Sequence, residues 1–284
     1  MIEFIEALAA PHNHFLRLAF TAALAASVAC GVMGSYVVSR RITYLAGGIA
    51  HCVLGGVGIA GYLRATYGLT WLEPLHGAFA AGLAAALLLG AVSLHAEERE
   101  DTLISALWVV GMSVGILFIY ATPGYAVDPM SYLFGNILML SARDVWLIVG
   151  LDALVLVVAA AFYRQLMAVC FDPEFARIRG LHVNFYYLLL LCLTALTVVS
   201  LMSVVGIVLV IALLALPAAT ASRFSGTLWH MMGLSVVLCA LFTTGGLALS
   251  YSTNLPSGAT IVTLAGAIYL LVVVGSRVKV RLTG

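Results

Sequence analysis

Two ionisable side chains, His51 and Asp152, stand inside long apolar stretches, where a charge is costly and usually functional. A neutral imidazole is a good ligand for Zn²⁺, Fe²⁺ or Mn²⁺, and a carboxylate suits harder ions such as Mn²⁺. His51 could instead make a hydrogen bond between helices. Asp152 could reach the membrane surface or bond a neighbouring serine or threonine. These residue types therefore allow a metal pathway without requiring one.

Other polar residues give weaker signals. Asp128 falls in a polar connection between apolar stretches, where solvation is a sufficient explanation. The five cysteines are scattered, without a Cys-x-x-Cys pair, and predict neither a disulfide framework nor a structural zinc site. No P-loop occurs, so ATP hydrolysis is not expected of this chain, and we predict that it is not an enzyme.

The elements that position these residues follow from composition. Hydrophobic residues make up 63% of the 284 residues and charged residues only 9%, which is far from the roughly 25% charged residues of soluble domains. With a net charge of +1, the chain lacks the strongly basic field that attracts nucleic acid, so a nucleic-acid-binding function is not expected. We predict an all-α, polytopic membrane protein that forms a single domain over residues 1–284.

Apolar stretches of about 20 residues, the length that crosses a bilayer, predict about nine transmembrane helices. They run over Leu18–Val38, Ile42–Leu63, Gly77–Leu94, Leu103–Thr122, Val145–Tyr163, Phe185–Met202, Val204–Ala221, Met231–Ser250 and Gly258–Gly275. A boundary near Ser203 divides an almost continuous apolar run. A shorter run, Met130–Leu140, is predicted to be re-entrant or interfacial.

The distribution of Lys and Arg predicts the orientation, because cytoplasmic loops carry an excess of both. With nine spans and the N-terminus outside, ten of the 13 basic residues fall on the cytoplasmic side and three fall outside. The outer three are Arg17, Arg64 and Arg143. The C-terminus is then cytoplasmic, and residues 1–17 form an outer surface segment whose apolar spacing predicts a short amphipathic helix.

The longest polar interruption, residues 164–184, is then cytoplasmic. Within it, Asp172 is suited to cap a helix that starts at Pro173, with Glu174 in the favourable first turn. Gly180 would end that helix. The segment is either a solvated connector or a contact site for a partner.

Several motifs, taken together and in order, resemble the zinc, manganese and iron permeases of ABC importers. They are the first-to-second helix region 34–56, Asp-Thr-Leu-Ile at 101–104, the Tyr-Leu-Phe-Gly motif within 128–138, Asp-Pro-Glu-Phe-Ala at 172–176, Leu-Pro-Ala-Ala-Thr-Ala at 216–221 and Pro-Ser-Gly-Ala at 256–259. The match covers nearly the whole chain.

The resemblance implies a homodimeric permease in a bacterial inner or plasma membrane, with a fold similar to the cobalamin and siderophore importers. It implies two separate ABC ATPase subunits and an extracytoplasmic metal-binding protein as partners, besides membrane lipid and no nucleic acid. The cargo is then a divalent metal (Zn²⁺, Mn²⁺ or Fe²⁺), and no permanently bound cofactor is expected.

The resemblance also implies roles for individual residues. The cytoplasmic helix containing Asp172, Pro173, Glu174, Phe175 and Arg177 is expected to couple to the ATPase. Outer-face arginines of the similar cobalamin importers pair with the binding protein, which suggests that role for Arg17.

The candidate metal-pathway residues are His51, Asp152, Asp128 and Asn254. Many relatives carry an aspartate four residues before the histidine, where this chain has Gly47, and another where it has Asn254. The alternative function is a secondary metal transporter driven by an ion gradient, which usually needs more buried charged groups and a repeat of the spans.

Overall fold

The computed structural model describes residue 6 and residues 13–95, 100–124, 133, 135 and 141–283, and the part of the chain within these ranges contains helices and no strand. The elements are α1 (His14–Ser39), α2 (Thr43–Tyr67), α3 (Pro74–His95), α4 (Glu100–Ala121), α5 (Ala142–Ala161), α6 (Tyr163–Phe171), α7 (Pro173–Ile178), α8 (Val183–Val205), α9 (Ile207–Ala221), α10 (Leu228–Thr253) and α11 (Ser257–Thr283). The all-α prediction is confirmed.

Eight of these helices are long and apolar enough to cross a membrane. They correspond to eight of the nine predicted spans. The ninth, α9, has only 15 residues, or about 22 Å of helix, which is less than the roughly 30 Å of a hydrocarbon core. The ninth apolar stretch is therefore a helix, but not one of full spanning length.

The boundary between α8 and α9 lies at Gly206, three residues beyond the predicted Ser203. Gly206 has φ 79° and ψ 159°, a conformation that is essentially restricted to glycine. A side chain at that position would be strained, so this glycine determines where the apolar run divides. The backbone of Gly135 packs against the same break, since a Cβ at Gly135 would lie 2.6 Å from the Gly206 nitrogen.

The core of the bundle is built around α2 and α8, which are the most deeply buried of the spanning helices. α2 packs against α3 and α4, whereas α8 packs against α3 and α5. α1 packs mainly against α10, α9 and α5. α4, α5 and α11 bury only a small part of their surface within one copy of the chain.

Small residues allow the helices of the α2 seam to approach closely. Gly56 of α2 and Gly77 of α3 are in direct backbone contact. A Cβ at either position would clash with the carbonyl oxygen of the other glycine. Gly55 of α2 faces Gly111 of α4 in a similar contact, where a Cβ would meet the Gly111 oxygen at 3.0 Å. These contacts assign the glycines a packing role, which is common between membrane helices.

The region after α5 differs from the prediction. The fifth span ends at Ala161 rather than Tyr163, because the chain bends at Phe162, with φ −104° and ψ 19°. Part of the segment predicted to be a polar connector then forms α6, a nine-residue helix. Leu166, Val169 and Cys170 of α6 are buried against the bundle, so this part of the connector is packed and not solvated.

Candidate metal pathway

His51 lies inside the bundle on α2, eight residues or about 12 Å from the start of that helix. It is only 7% exposed, and its Nδ1 has no hydrogen-bond partner. The imidazole instead stacks on the indole of Trp108 in α4, with ring centroids 4.7 Å apart and an interplanar angle of 26°. An interhelical hydrogen bond through Nδ1 is therefore absent, and this nitrogen is an unused potential ligand.

Asp152 lies in the middle of α5 and is 3% exposed. Its Oδ1 accepts a hydrogen bond from the Ser200 hydroxyl of α8 at 2.9 Å, whereas its Oδ2 has no partner. The bond from Ser200 matches the interpretation of Asp152 as a hydrogen-bond acceptor for a neighbouring serine or threonine. The unpartnered Oδ2 is still available for a role in the metal pathway. A buried carboxylate with an unused oxygen retains the capacity to attract a cation.

The two buried groups contact different neighbours. His51 contacts α4, whereas Asp152 contacts α8. Within the described ranges, no three His, Cys, Asp or Glu side chains are placed to hold one metal ion. The described interior thus offers no site with three such ligands, an arrangement that suits passage of an ion better than storage.

Asn254 and Arg17 lie at the same end of the bundle. Asn254 is the left-handed C-cap of α10 (φ 54°), is exposed, and lines a cavity of about 330 Å³. Phe15 and Leu16 of the first turn of α1 line the same cavity. Arg17 follows them and is exposed. It belongs to the first turn of α1, so the spanning helix begins four residues earlier than predicted.

Three sequence predictions fall outside the described residues. The first is Asp128. The second is the re-entrant or interfacial run over residues 130–140, apart from residues 133 and 135. The third is the surface helix over residues 1–17, apart from Glu6 and residues 13–17.

The predicted coupling segment forms the short helix α7, and its local structure is the one that its sequence predicts. The Asp172 carboxylate accepts a hydrogen bond from the Phe175 N–H at 2.9 Å, and Pro173 occupies the first position. At the other end, Gly180 has φ 78°, and the N–H of Leu181 donates to the Ala176 carbonyl at 3.0 Å. These bonds form a Schellman ending, and the helix is fixed at both ends.

One face of α7 is anchored and the other is free. Ala176 is buried, whereas Phe175 and Ile178 are 50% and 84% exposed. The guanidinium of Arg179 lies 5.1 Å from the centre of the Phe175 ring. Glu174 and Arg177 are exposed on the same short helix. An exposed apolar pair flanked by charged side chains is typical of a protein contact surface.

The α7 segment and Arg17 lie near opposite ends of α1. The Cys170 thiol of α6, close to α7, contacts the Tyr36 carbonyl at 4.0 Å. Tyr36 is 19 residues after Arg17 in the same helix, which corresponds to about 28 Å. This distance is close to the thickness of a hydrocarbon core, so the two segments face opposite sides of a membrane.

Two residues of these sites were not found from the sequence. Trp108 and Ser200 are typical residues of apolar helices, and no local pattern distinguishes them. Each contacts its partner across a helix pair that is distant in sequence.

Comparison with known proteins supplies the family. The family model described as "ABC 3 transport family" matches residues 12–276. The chain belongs to the ABC 3 transport family. An uncharacterized membrane protein of Synechocystis is 41% identical over 95% of this chain and 94% of its own length. A manganese transport system membrane protein of Halalkalibacterium halodurans is 34% identical over 90% of this chain and 86% of its own.

A solved structure agrees with this assignment. The complex titled PsaBC from Streptococcus pneumoniae with Fab contains a chain that is 32% identical, with a TM-score of 0.84, over 96% of this chain and 95% of that one. The prediction of a multi-pass permease from the metal ABC importer family is confirmed. Permeases of the ABC 3 transport family are not themselves enzymes, as expected for this chain.

Proposed function

We propose that this permease moves a divalent metal ion from an extracytoplasmic binding protein into the cytoplasm, with ATP hydrolysed by separate subunits. The observation that supports it best is His51: a buried imidazole with an unpartnered nitrogen, on the most buried spanning helix of the bundle. A neutral imidazole nitrogen binds divalent first-row metals well. A single such ligand holds an ion too weakly to trap it.

Manganese is the cargo named for the Halalkalibacterium relative, and we propose Mn²⁺ as the first metal to test. Zn²⁺ and Fe²⁺ are the other two, since imidazole suits both. Asp152, through its free Oδ2, is the second proposed pathway group, followed by Asn254 at the cavity near the end of α10. Asp128 is a further proposed pathway residue.

The apolar face of α7 supports a proposal about the ATPase. We propose that Phe175 and Ile178 dock into a cleft of the ATPase and that Glu174 and Arg177 orient the contact. Because Asp172, Pro173 and Gly180 fix both ends of the helix, it can transmit a force as a rigid unit. Two permease copies with two ATPase subunits form the proposed assembly.

The opposite end of α1 supports a proposal about the binding protein. Arg17 is exposed beside the cavity at Asn254, and we propose that it pairs with a carboxylate of the binding protein. We propose that the N-terminus lies outside and the C-terminus in the cytoplasm, as the Lys and Arg distribution predicts.

Metal accumulation in a bacterial strain lacking its own permease tests the proposal. The chain, expressed with its ATPase and binding protein, should restore accumulation of ⁵⁴Mn²⁺, ⁶⁵Zn²⁺ or ⁵⁵Fe²⁺. A Walker-lysine variant of the ATPase should abolish it. Uptake that persists with the inactive ATPase and stops when the proton gradient is collapsed would support a secondary transporter instead.

Glu174→Arg tests the coupling role of α7. The reversed charge should weaken ATPase docking and reduce uptake, with normal insertion of the permease in the membrane. Thr253→Arg, which places a new cation at an exposed position of the opposite end, is the control. Co-purification of the ATPase with both variants is the measurement, and unchanged co-purification and uptake for Glu174→Arg would reduce α7 to a connector.

A further inference from the structure

The Trp108 ring covers one full turn of α2. At one end of that turn it stacks on the His51 imidazole. At the other end it lies over Gly47, where a Cβ would meet ring atoms Cζ3 and Cη2 at 3.0 and 3.1 Å. The space beside His51 that a side chain at position 47 would enter is therefore filled by the indole. The indole can occupy this position only because residue 47 has no side chain.

The helix pair that carries this contact is held tightly. One turn after Trp108, Gly111 packs on the backbone of Cys52, where a Cβ would lie 2.9 Å from the Cα and 3.0 Å from the nitrogen. The Cys52 thiol also contacts the Leu107 carbonyl at 3.5 Å. Because Gly111 packs directly on the backbone of Cys52, the residue after His51, α4 cannot move away from α2 without breaking this seam. The position of the indole relative to the imidazole is fixed.

We propose that Trp108 is a positioning residue that also sets metal preference at His51. The indole holds the His51 imidazole in one plane. It also covers the side of His51 that faces Gly47, so that water and other oxygen ligands cannot reach the imidazole from there. An ion that reaches His51 then finds a nitrogen ligand next to an apolar wall. Compared with a site that has an oxygen ligand at position 47, such surroundings shift the preference from Mn²⁺, which prefers oxygen ligands, toward Zn²⁺ or Fe²⁺. This inference rests on the proposed role of His51 in metal passage.

Trp108→Ala tests the inference in the complete transporter. The cavity left by the indole admits water beside His51 and frees the imidazole to rotate. Total uptake should fall by roughly 10-fold, as is usual when the support of a metal ligand is removed. Initial rates of ⁵⁴Mn²⁺ and ⁶⁵Zn²⁺ uptake, measured in competition, should shift several-fold toward Mn²⁺. Trp108→Phe keeps an aromatic face and should restore most of the parent ratio.

Two controls separate this role from general packing. Trp146→Ala removes an equally large side chain that is 76% exposed on α5, and it should leave the metal ratio unchanged. Gly47→Ala introduces a methyl 3.0 Å from the indole and should displace the ring. Gly48→Ala introduces the same methyl one residue later, 3.4 Å from Ile104, where it fits. Only the first glycine variant should alter the ratio, and this pair remains informative if Trp108→Ala does not fold.

The outcomes distinguish this inference from the proposed function. If His51→Ala lowers uptake while Trp108→Ala and Gly47→Ala preserve the parent Mn²⁺ to Zn²⁺ ratio, the positioning role is wrong and the His51 pathway stands. If His51→Ala transports normally, the pathway role of His51 fails, and the inference fails with it. A ratio that shifts with Trp146→Ala as well would also overturn it, since the effect would not be local to His51.

Discussion

His51 and Asp152 are both buried and both keep one polar atom without a partner, but their surroundings differ. His51 contacts an aromatic ring, which restrains the imidazole and leaves its Nδ1 without a hydrogen bond. One Asp152 oxygen accepts a hydrogen bond from Ser200, so that the carboxylate also links α5 and α8. The difference shows that a membrane site can keep a ligand available by stacking it, whereas a hydrogen bond commits part of the ligand to the fold.

The largest effect is expected from His51→Asn. The amide is a poor replacement for an imidazole nitrogen, so metal uptake should decrease by roughly 10- to 100-fold, at least as much as the loss of an outer-shell partner causes. The amount of permease in the membrane and its co-purification with the ATPase should not change. Uptake near the parent rate would show that His51 is not a metal ligand and only packs against Trp108, so its contrast with Asp152 would have no functional meaning.

Asp152→Asn should have a smaller effect on uptake. The amide oxygen can still accept the Ser200 bond, so the link between α5 and α8 remains, but the negative charge that attracts a cation is lost. We expect a loss of less than about 10-fold, below that of His51→Asn measured in the same assay. A loss as large as that of His51→Asn would make Asp152 an equal member of the pathway.

Ser200→Ala should affect stability more than transport. It leaves both Asp152 oxygens unpartnered in the interior, which costs about 1–3 kcal/mol for a buried polar group. The thermal unfolding temperature of the purified permease in detergent should fall, with uptake nearly unchanged. Thr194→Val on the same helix is the control, since its hydroxyl bonds only within α8, to the Leu190 carbonyl. A larger fall for Thr194→Val would contradict the special role of the Ser200 bond.

The smallest effect is expected from Asn254→Gly. Asn254 has φ 54°, a conformation that glycine adopts without strain, and its side chain is exposed. Stability should change by no more than about 0.5 kcal/mol. If the Asn254 side chain contacts the passing ion, uptake should still decrease measurably. Equal uptake by this variant and the parent would show that Asn254 does not belong to the pathway, which would then consist of His51 and Asp152.

The sequence predicts best what is determined locally. The limits of α7 follow from Asp172, Pro173 and Gly180, because a cap, a first-turn proline and a left-handed glycine act within one turn of the helix. The spans follow from their length and hydropathy. His51 follows from the position of an ionisable residue inside an apolar stretch.

What the sequence could not show depends on contacts between distant helices. The stacking on Trp108 and the Ser200 bond arise only when α2 meets α4 and α5 meets α8. The end of α8 was misplaced because residues on both sides of Gly206 are apolar and no polar residue indicates the break. Helix α6 was missed because its buried positions lie within a polar stretch that resembles a loop.

The break at Gly206 has a consequence for the biosynthesis of the protein. One glycine separates α8 from α9, and no polar loop lies between them. The insertion machinery therefore meets one apolar run that is too long for a single span and contains no hydrophilic stop. We expect α8 and α9 to leave the translocon together. At the break, the Gly206 N–H donates to the Met202 carbonyl at 3.2 Å and the Gly206 carbonyl accepts from the Val210 N–H at 3.1 Å, so these groups do not depend on water. A charged residue introduced at Val205 or Ile207 should be rejected during insertion, before the transporter is assembled.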